Sequence, residues 1–464
     1  MLKLSEYKHI HCVGIGGIGL SALAEILADR GYIVSGSDAK ESEMTHRLLA
    51  SGIKVFIGQE GKNVDGADLL VYSAAVAADN PEIERAKELN IPIITRGELL
   101  GALMDEYEVA IAVSGTHGKT TTTSMISLIL DNAKKDPTIL VGGNLPQIGG
   151  NVKLGKSKYC VSEACEYMDS FLSLRPTVEI ILNIDSDHLD YFKDIDHIVN
   201  SFKKFTKCLK QGGKIVAYEA NPFVNTVIND YPDCITFGYS KNCTYSASDI
   251  VFDQFGMPQF TVNFNNEQLC KIKLAIPGEH NILNALAATA CCHSLGVESQ
   301  YIVSTLEEFT GTQRRFDVIG ETSQGVKIVD DYAHHPTEIR ATLAAAKNIP
   351  CNDMWCLFQP HTYTRTRALF DEFVTSFEDA DKIILAEIYA AREKNIHKIS
   401  SKELVTAIKK HYPTKEVYYF KEFGEIASFV VNNASEKDLV ITMGAGDIYK
   451  VAEMILEKDK EKSR

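Results

Sequence analysis

Short apolar runs alternate with longer amphipathic stretches along most of the chain, and this alternation predicts strands and helices in turn. The first run, HIHCVGI, has the length of a buried strand. The segment GLSALAEILADR after it repeats its apolar residues at helical spacing as far as Gly31. Four more apolar runs predict further strands in YIVSGSD, IKVFIG, ADLLVYSAA and IPIIT. Strands that alternate with helices in this way are typical of a parallel sheet covered by helices.

The same alternation begins again near residue 108 and near residue 311. In the second segment, strands are predicted in VAIAV, TILVGG, YCVSEA, VEIILNID and GKIVAY, and a helix is predicted in GEHNILNALAATACCHS. In the third segment, VKIVDDYA, DMWCLFQP, DKIILAEIY and DLVITM predict strands, and TEIRATLAAAK predicts a helix. The sequence therefore predicts an α/β fold with three domains, which span residues 1–108, 109–311 and 312–464.

The charge balance argues against a nucleic-acid-binding protein. Of 464 residues, 62 are acidic and 48 are basic, and the formal net charge of −14 comes without a basic stripe. The 11 cysteines form no repeated CxxC pair, so neither a zinc site nor a disulfide framework is indicated. No apolar run approaches the roughly 18 residues that a membrane span needs, and the N-terminal residues show no signal-peptide pattern. We therefore expect a cytoplasmic protein without a nucleic-acid or membrane partner.

A glycine-rich run between the first predicted strand and helix has the form GxGxxG. It comprises Gly14, Ile15, Gly16, Gly17, Ile18 and Gly19. Glycines at these positions let the backbone approach a pyrophosphate, which the N-terminus of the helix stabilises. The motif therefore predicts binding of a nucleotide or a diphosphate. Bound NAD with Asp38 on a ribose is one interpretation, and a turn that only connects strand and helix is another.

The segment SGTHGKT follows the strand VAIAV and precedes an apolar helix. It consists of Ser114, Gly115, Thr116, His117, Gly118, Lys119 and Thr120. It keeps the GK[ST] core of a P-loop but has two residues fewer between its glycines. Its amides would surround phosphates, Lys119 would neutralise charge at a γ-phosphate, and Thr120 would ligate Mg²⁺. A purely structural glycine–lysine turn is the alternative.

A magnesium site needs ligands beyond one hydroxyl group, and two candidates follow strands of the second segment. Glu163 lies in VSEACEYMDSF, and His188 lies in ILNIDSDHLDYF. The acidic neighbours of His188 are Asp185, Asp187 and Asp190. Because the carboxyl ends of parallel strands meet at one edge of a sheet, we expect Glu163 and His188 near the loop. A structural histidine and a solvated acidic loop are the alternatives.

Polar clusters also follow two predicted strands of the third segment. The first cluster, DDYAHHPTE, contains His334 and His335, and the second, FQPHTYTRTR, contains His361 and Arg365. Clusters at strand ends are typical of loops that contact ligands, although helix capping also explains paired histidines. The segment RRF, from Arg314 to Phe316 beside the second boundary, would bring cationic groups across a domain cleft to a phosphate.

In their order along the chain, these motifs resemble those of the Mur ligases. The set runs GIGGIG, GTHGKT, SEACEYMDSF, NIDSDHLDYF, GEHNILNALAA, RRF, DDYAHHPTE, FQPHTYTRTR and GAGD, and it covers nearly the whole chain. The short GTxGKT loop is the form that this family uses. The resemblance implies a Rossmann-like N-terminal domain that holds the UDP of a sugar substrate. It further implies a central P-loop-type ATPase sheet that holds ATP and a Rossmann-like C-terminal domain that binds an amino acid.

The resemblance also implies a reaction and its cofactors, ATP and Mg²⁺. The lactyl carboxylate of UDP-N-acetylmuramate would take the γ-phosphate of ATP, because a carboxylate cannot itself expel oxide when an amine arrives. The amine of L-alanine would then attack the acyl phosphate, in a cytoplasmic step of peptidoglycan synthesis. The protein would mainly position the reactants and stabilise charge. The expected assembly is a monomer or a homodimer.

Roles carried over from the family fall on individual residues of this chain. The glycine turn and Asp38 would bind the UDP-sugar, and the segment from Ser114 to Thr120 would bind the phosphates of ATP. The other residues implied for ATP are His280, Asn281, Asn284 and Arg315. Magnesium would be held by Thr120, Glu163 and His188. Around the alanine would stand Tyr332, His334, His361 and Arg365. The residues implied in catalysis are Lys119, His188, Arg315 and His334.

Two features depart from the family pattern. Thr362 follows His361 where many relatives have arginine, so one cation near the amino acid is missing. Several sister ligases use a carbamoylated lysine after the DHLD motif, and Lys203 and Lys204 lie in range without either being assigned.

Three other functions stay open at this point. A recycling ligase that attaches an intact tripeptide to the same UDP-sugar would share most of these motifs. An NAD-dependent dehydrogenase would explain GIGGIG and Asp38, but it leaves GTHGKT and Glu163 unused. A non-catalytic UDP-sugar-binding protein would not need an intact Lys119 and Thr120.

Overall fold

The computed structural model describes residues 2–396 and 398–462. The chain forms two compact units and passes between them several times from residue 183 to residue 236. The first unit comprises Met1–Asn183, Val199–Ala217 and Pro222–Ile235, and the second comprises Ile184–Ile198, Tyr218–Asn221 and Thr236–Arg464. Among the described residues, no helix has both the length and the apolar character that crossing a membrane requires.

The N-terminal residues form a parallel sheet with helices between its strands. The strands are β1 (His9–Val13), β2 (Ile33–Asp38), β3 (Lys54–Ile57), β4 (Leu69–Tyr72) and β5 (Ile93–Thr95). The helices are α1 (Ile18–Asp29), α2 (Glu43–Ala50), α3 (Pro81–Glu88) and α4 (Arg96–Asp105). The strand order is β3-β2-β1-β4-β5, and neighbouring strands are parallel. This order reverses between β1 and β4, so the glycine turn after β1 lies at the type of crevice where such sheets bind ligands.

The following strands surround the phosphate loop. They are β6 (Val109–Ser114), β7 (Thr138–Leu145), β8 (Gly150–Lys153), β9 (Tyr159–Glu163), β10 (Val178–Ile181) and β11 (Lys214–Tyr218). The helices here are α5 (Lys119–Asn132), α6 (Ile195–Thr206) and α7 (Pro222–Ile228). The strand order is β11-β10-β6-β9-β7-β8, with β6 parallel to both β9 and β10. Because β6 is central, the loop after it lies between the carboxyl ends of two neighbouring strands.

An antiparallel region and two helices come next in the chain. The strands are β12 (Ile235–Gly238), β13 (Tyr245–Phe252), β14 (Pro258–Phe264) and β15 (Glu267–Lys273), and the helices are α8 (Glu279–Ser294) and α9 (Ser299–Glu308). β13 pairs antiparallel with β14, and β14 pairs antiparallel with β15.

The C-terminal residues form a sheet that is buried on both faces. Its strands are β16 (Asp317–Glu321), β17 (Lys327–Asp331), β18 (Met354–Phe358), β19 (Lys382–Leu385), β20 (Glu416–Tyr419) and β21 (Leu439–Met443), in the order β16-β17-β21-β18-β19-β20. The helices are α10 (Pro336–Ala346), α11 (Tyr363–Ala368), α12 (Phe370–Val374), α13 (Ser401–His411), α14 (Phe423–Asn433) and α15 (Tyr449–Lys462). In β18, Cys356 and Phe358 pack into one core, whereas Trp355 and Leu357 pack into another. Both faces are therefore covered, as expected for parallel strands that read as a continuous apolar run.

The α/β fold with three domain sheets, predicted from the alternation, is confirmed, but several strands escaped the sequence analysis. The missed strands are β8, β12, β13, β14, β15, β16 and β20. Most of them carry polar residues on an exposed face; β15, for example, reads EQLCKIK and is largely exposed. Apolar runs identify strands that are buried on both faces, and they do not identify strands that are half solvated.

A buried acid interrupts the core of the phosphate-loop sheet. Glu179 lies on β10, opposite Ala112 of β6 and Ile215 of β11. Its side chain is fully buried, and neither carboxyl oxygen has a hydrogen-bond partner in the part of the chain that the structure describes. Burial raises the pKa of Glu179 well above its usual range. The folded protein therefore retains a proton that the unfolded chain loses above about pH 4.3, so rising pH reduces the contribution of this group to stability.

We expect Glu179→Met to stabilise the protein, because an apolar side chain of similar length removes an unpaired polar group. The gain should be roughly 1–3 kcal/mol. It should be larger at pH 8.5 than at pH 6, because the folded wild type retains a proton at Glu179 that the unfolded chain releases more readily as the pH rises. Thermal unfolding at both pH values measures it, with the exposed Glu307→Gln as control. A Glu179→Met protein that is less stable than the wild type at both pH values would show that the buried carboxyl does not destabilise the fold.

Candidate functional site

The glycine turn between β1 and α1 is held by the end of β2. The carbonyl oxygen of Ser37 accepts hydrogen bonds from the amides of Gly14 at 2.8 Å and Ile15 at 2.9 Å. The Asp38 carboxylate accepts from the amide of Gly16 at 2.9 Å. Gly14 has a φ of 78°, a conformation that glycine adopts without strain. Asp38 therefore contacts the turn itself, and its Oδ1 atom also accepts from the amide of Lys40 at 3.3 Å.

A cavity of about 350 Å³ adjoins the first turn of α1. Its walls include Ile18 and Gly19, whose amides open the helix and have no partner within it. Arg96, the first residue of α4, also lines the cavity, and a Cβ added at Gly19 would lie 3.2 Å from its Nη1 atom. Open amides beside a guanidinium form a setting for an anion. Sequence reasoning missed Arg96, although its position after the last strand of a parallel sheet places it at the edge where ligands bind.

The phosphate loop runs from the end of β6 into α5. Gly115 has a φ of 133° and Gly118 a φ of 85°, so glycine is the residue that fits both positions. α5 begins at Lys119, and the amides of its first turn have no partner within the helix. These amides therefore point out of the N-terminus of the helix, which is where helices typically bind phosphate groups.

Asn183 holds this loop in shape, and sequence reasoning missed it. Its backbone oxygen accepts from the amide of Thr116 at 3.1 Å, and its Oδ1 accepts from the amide of His117 at 2.8 Å. Its Nδ2 donates to the carbonyl oxygen of His117 at 3.0 Å. The backbone N–H and C=O of His117 are thus both bonded to the side chain of Asn183. The available signal was its position in NIDSDH, just after the strand beside β6.

The ammonium group of Lys119 is surrounded by oxygen atoms of its own unit. Nζ donates to the carbonyl oxygens of Gly115 at 2.5 Å and Thr116 at 3.0 Å, and it forms an ion pair with Glu166 at 3.0 Å. Burial opposes its charge, but the Glu166 carboxylate and the neighbouring Cys165 and Glu163 outweigh this effect and raise its pKa. Lys119 is therefore charged and in contact with the loop. Glu166 was not among the predicted residues.

The residues predicted to hold magnesium are divided between the two units. Thr120 lies in the first turn of α5, and Glu163 ends β9 opposite Val113, one residue before the loop. The Oε1 atom of Glu163 accepts from the amide of Gly142 at 2.6 Å. Their hydroxyl and carboxylate oxygens suit Mg²⁺, which prefers oxygen ligands. His188 belongs to the second unit.

His188 lies in a loop of the second unit that contacts the C-terminal residues. Arg365 donates from Nε and Nη2 to Asp187 Oδ1, both at 2.9 Å, and from Nη1 to His361 Nδ1 at 3.0 Å. Burial opposes the charge of Asp187, but Arg365 and nearby histidines outweigh it and hold the pKa of this carboxyl well below its usual range. Arg365 was predicted to contact alanine, and the structure shows it paired with an acid that sequence reasoning had grouped with the metal loop.

Two further contacts attach the same loop to the start of α10. The Nε2 atom of His335 lies 3.0 Å from the carbonyl oxygen of Ser186, so it donates there. The hydroxyl of Thr337 donates to Asp185 at 2.9 Å. His335 also caps α10 by accepting from the amide of Thr337 at its Nδ1 atom. Helix capping, the structural alternative for the paired histidines, therefore applies to His335.

The four residues predicted around the amino acid are neighbours in the second unit. Tyr332 and His334 have ring centroids 5.4 Å apart, His334 and His361 are 5.9 Å apart, and His361 contacts Arg365. Burial lowers the pKa of His334 to about 4 and that of His361 to about 3, so both rings are neutral near pH 7. His334 Nδ1 lies 2.9 Å from the carbonyl oxygen of Tyr332, so it carries the hydrogen and leaves Nε2 as an acceptor.

The residues predicted near the adenine lie at the start of α8. Asn281 donates from Nδ2 to the carbonyl oxygen of Pro277 at 2.7 Å, and Asn284 donates to Asn281 Oδ1 at 3.0 Å. Burial lowers the pKa of His280 to about 4, so this ring is also neutral. These residues belong to the second unit, and the two asparagines form one bonded group at the helix start.

The adjacent arginines of RRF have different surroundings. Arg314 donates to Asp330 at 3.0 Å and to the carbonyl oxygen of Gly444 at 2.6 Å, so it stabilises the C-terminal sheet. The guanidinium of Arg315, the residue predicted to reach a phosphate, lies over the ring of Tyr332 at 5.1 Å.

Comparison with known proteins shows three matches in succession along the chain. Residues 9–108 match the Mur ligase family, catalytic domain; residues 113–292 match the Mur ligase middle domain; and residues 314–446 match the Mur ligase, glutamate ligase domain. Curated relatives match over almost the full length. The UDP-N-acetylmuramate–L-alanine ligase of Acetivibrio thermocellus is 49% identical and covers 99% of this chain and 98% of its own. The ligase of the same name from Alkaliphilus metalliredigens is 49% identical and covers 97% of both chains.

Solved structures give the same result for the fold. The UDP-N-acetylmuramate-alanine ligase of Thermotoga maritima is 30% identical, with a TM-score of 0.83 over 99% of this chain and 100% of that one. A murein peptide ligase of Psychrobacter arcticus is 26% identical, with a TM-score of 0.73 over 97% and 98% of the two chains. The order of the domains, the short phosphate loop and the full-length relatives together show that this chain belongs to the Mur ligase family.

Proposed function

We propose that the protein joins L-alanine to the lactyl carboxylate of UDP-N-acetylmuramate in the cytoplasm, with conversion of ATP to ADP and phosphate. The observation that carries the proposal is the 49% identity to UDP-N-acetylmuramate–L-alanine ligases over nearly the whole chain. The phosphate loop supports it, because Lys119 and the open turn of α5 form a site for the phosphates of a nucleotide.

The chemistry requires that the carboxylate be activated before the amine attacks it. A carboxylate oxygen would attack the γ-phosphorus of ATP, and the bond to the β-phosphate oxygen would break, giving an acyl phosphate and ADP. The nitrogen of L-alanine would then attack the carbonyl carbon, lose a proton and expel phosphate. Lys119 would offset charge on the transferred group, and the neutral Nε2 of His334 would accept a hydrogen from the amine.

We further propose that Mg²⁺ is bound with ATP. Thr120 and Glu163 offer a hydroxyl and a carboxylate beside the loop, a donor set that fits the ion. When bound, the ion would supply positive charge to the phosphate oxygens. The chain's own part is to fix these oxygens: Gly142 holds the Glu163 carboxylate through its amide.

The glycine turn would bind the diphosphate of the UDP-sugar. Ile18 and Gly19 would contribute amides, and Arg96, which lines the same cavity beside Gly19, would contribute a positive charge. We assign the diphosphate to a UDP-sugar rather than to NAD because the N-terminal residues match the Mur ligase family.

The acceptor specificity gives the direct test of this function. With ATP, Mg²⁺ and UDP-N-acetylmuramate, we expect phosphate release in the presence of L-alanine, little release with D-glutamate, and none when Mg²⁺ is removed with a chelator. Mass spectrometry of the product identifies the new amide. Release with the intact tripeptide in place of L-alanine would assign the recycling reaction, since the murein peptide ligase of Psychrobacter arcticus has the same fold.

We expect Lys119→Ala to lower turnover by about 10²–10³-fold, since it removes a positive group at the site of charge development. Binding of the UDP-sugar, measured by calorimetry, should stay close to that of the wild type because the glycine turn is a different part of the chain. The control is Lys158→Ala, which removes a surface lysine paired with Glu108. Loss of UDP-sugar binding in Lys119→Ala would contradict the assignment of two separate phosphate sites.

The role of Arg365 can be separated from that of its partner Asp187. We expect Arg365→Lys to raise the KM for L-alanine about ten- to a hundred-fold, because a planar guanidinium binds a carboxylate through two donors at a cost on removal of about 1.5–3 kcal/mol. The KM values for ATP and the UDP-sugar should change much less. The control is Arg367→Lys, an exposed arginine of the same helix.

A second variant, Asp187→Asn, tests whether Arg365 has only a structural role. If Arg365→Lys and Asp187→Asn both lower kcat and leave the KM for L-alanine unchanged, then Arg365 acts by holding the loop that contains His188. Contact with the alanine carboxylate would then be excluded.

A further inference from the structure

A buried polar cluster lies beneath the glycine turn, and the proposed function does not use it. We call it the His11–Glu82 cluster; its members are His9, His11, Ser35, Ser37 and Glu82. Four of the five side chains are buried, and His11, Ser37 and Glu82 have no exposed surface at all. His9 is partly exposed. Polar groups buried in this way are costly unless they are bonded to one another.

Glu82, on α3, is held at both oxygens. Its Oε2 accepts from the hydroxyl of Ser37 at 2.5 Å, and its Oε1 accepts from Nδ2 of Asn63 at 2.7 Å. Nε2 of His11 lies 3.6 Å from the same Oε1. The carboxylate therefore connects β1, β2 and the segment before β4 through three side chains.

The hydrogen bonds of the two histidines define where the hydrogens lie. His9 Nδ1 lies 2.8 Å from the carbonyl oxygen of Gly66, which can only accept, so this nitrogen carries a hydrogen. The Ser35 hydroxyl lies 2.8 Å from both His9 Nε2 and His11 Nδ1, and it has one hydrogen to donate. One of these two nitrogens must therefore donate to the hydroxyl oxygen.

The two imidazoles are therefore joined through the one hydroxyl of Ser35. The Nε2 atom of His11 faces Glu82 at 3.6 Å and has no hydrogen-bond partner among the described residues. Two charged groups lie nearby. Asp68 accepts from the amide of His9, and Lys54 lies over the ring of Phe56, which is next to the ring of His11.

The Glu82 side chain is linked to the glycine turn through Ser37. The Ser37 side chain donates to Glu82, and its carbonyl oxygen accepts from the amides of Gly14 and Ile15. The position of that carbonyl therefore sets the start of the glycine turn. A Cβ at Gly36, the residue before it, would lie 2.4 Å from the carbonyl oxygen of Cys12, so the two strands are already in close contact and leave little room for adjustment.

We propose that the His11–Glu82 cluster is a positioning unit that fixes the glycine turn for the diphosphate of the UDP-sugar. The proposal rests on the proposed function in assigning that turn to the UDP-sugar. Its members act through Ser37 and do not touch the substrate.

The test compares Ser37→Ala and Glu82→Gln with the wild type. We expect each variant to weaken binding of UDP-N-acetylmuramate by about tenfold in calorimetry, since each removes a buried bond worth about 1.4 kcal/mol. The KM for the UDP-sugar should rise equally, while kcat and the KM for ATP stay unchanged. The control is Tyr107→Phe, which removes a hydroxyl bonded to Thr138 at 2.8 Å in the same unit and should reduce only thermal stability.

The possible results are distinct. If Ser37→Ala and Glu82→Gln lower the unfolding temperature like Tyr107→Phe but bind the UDP-sugar as tightly as the wild type, the positioning proposal is wrong. If the wild type binds the UDP-sugar but releases no phosphate with ATP and L-alanine, the proposed function fails while the binding comparison still decides the role of the cluster.

Discussion

A turn that keeps its amide groups free for an anion must be held by bonds from elsewhere, and both phosphate sites proposed for this chain depend on that constraint. In the phosphate loop, Asn183 bonds the N–H and the C=O of His117 and the amide of Thr116. In the glycine turn, the end of β2 holds the amides that precede α1. These bonds hold each turn in shape, and the amides of the first helical turn, which have no partner within the helix, stay available to bind phosphate.

This constraint explains what the sequence could and could not predict. The glycine turn and the phosphate loop are local patterns, because positive φ angles at Gly14, Gly115 and Gly118 require particular residues at particular positions. Asn183 and Arg96 act from other strands or helices. Their positions just after strands were the only local signal, and that signal does not show which loop or turn each one contacts. The apolar runs predicted most of the parallel strands but missed β12, β20 and the antiparallel strands, because an apolar run indicates a strand that is buried on both faces.

The pairing of Arg365 with Asp187 illustrates the limit more sharply. The two residues are far apart in sequence and were predicted to serve different ligands, one the amino acid and the other the surroundings of a metal. In the structure they share one buried ion pair, so a substitution at either position affects both regions. Roles assigned from motifs one at a time cannot show such a connection, because each motif is recognised by its own neighbours in sequence.

The contacts of Lys119 have a consequence for which anions the loop can retain. Its ammonium group is already bonded to Gly115, Thr116 and Glu166, so an entering phosphate has to exchange places with carbonyl and carboxylate oxygens. A small anion with few contacts would gain little from that exchange, whereas the triphosphate of the proposed substrate would also engage the amides along the helix start. Once the terminal phosphate is transferred, the same oxygens would be able to take back the ammonium group, so Lys119 would regain its resting hydrogen bonds.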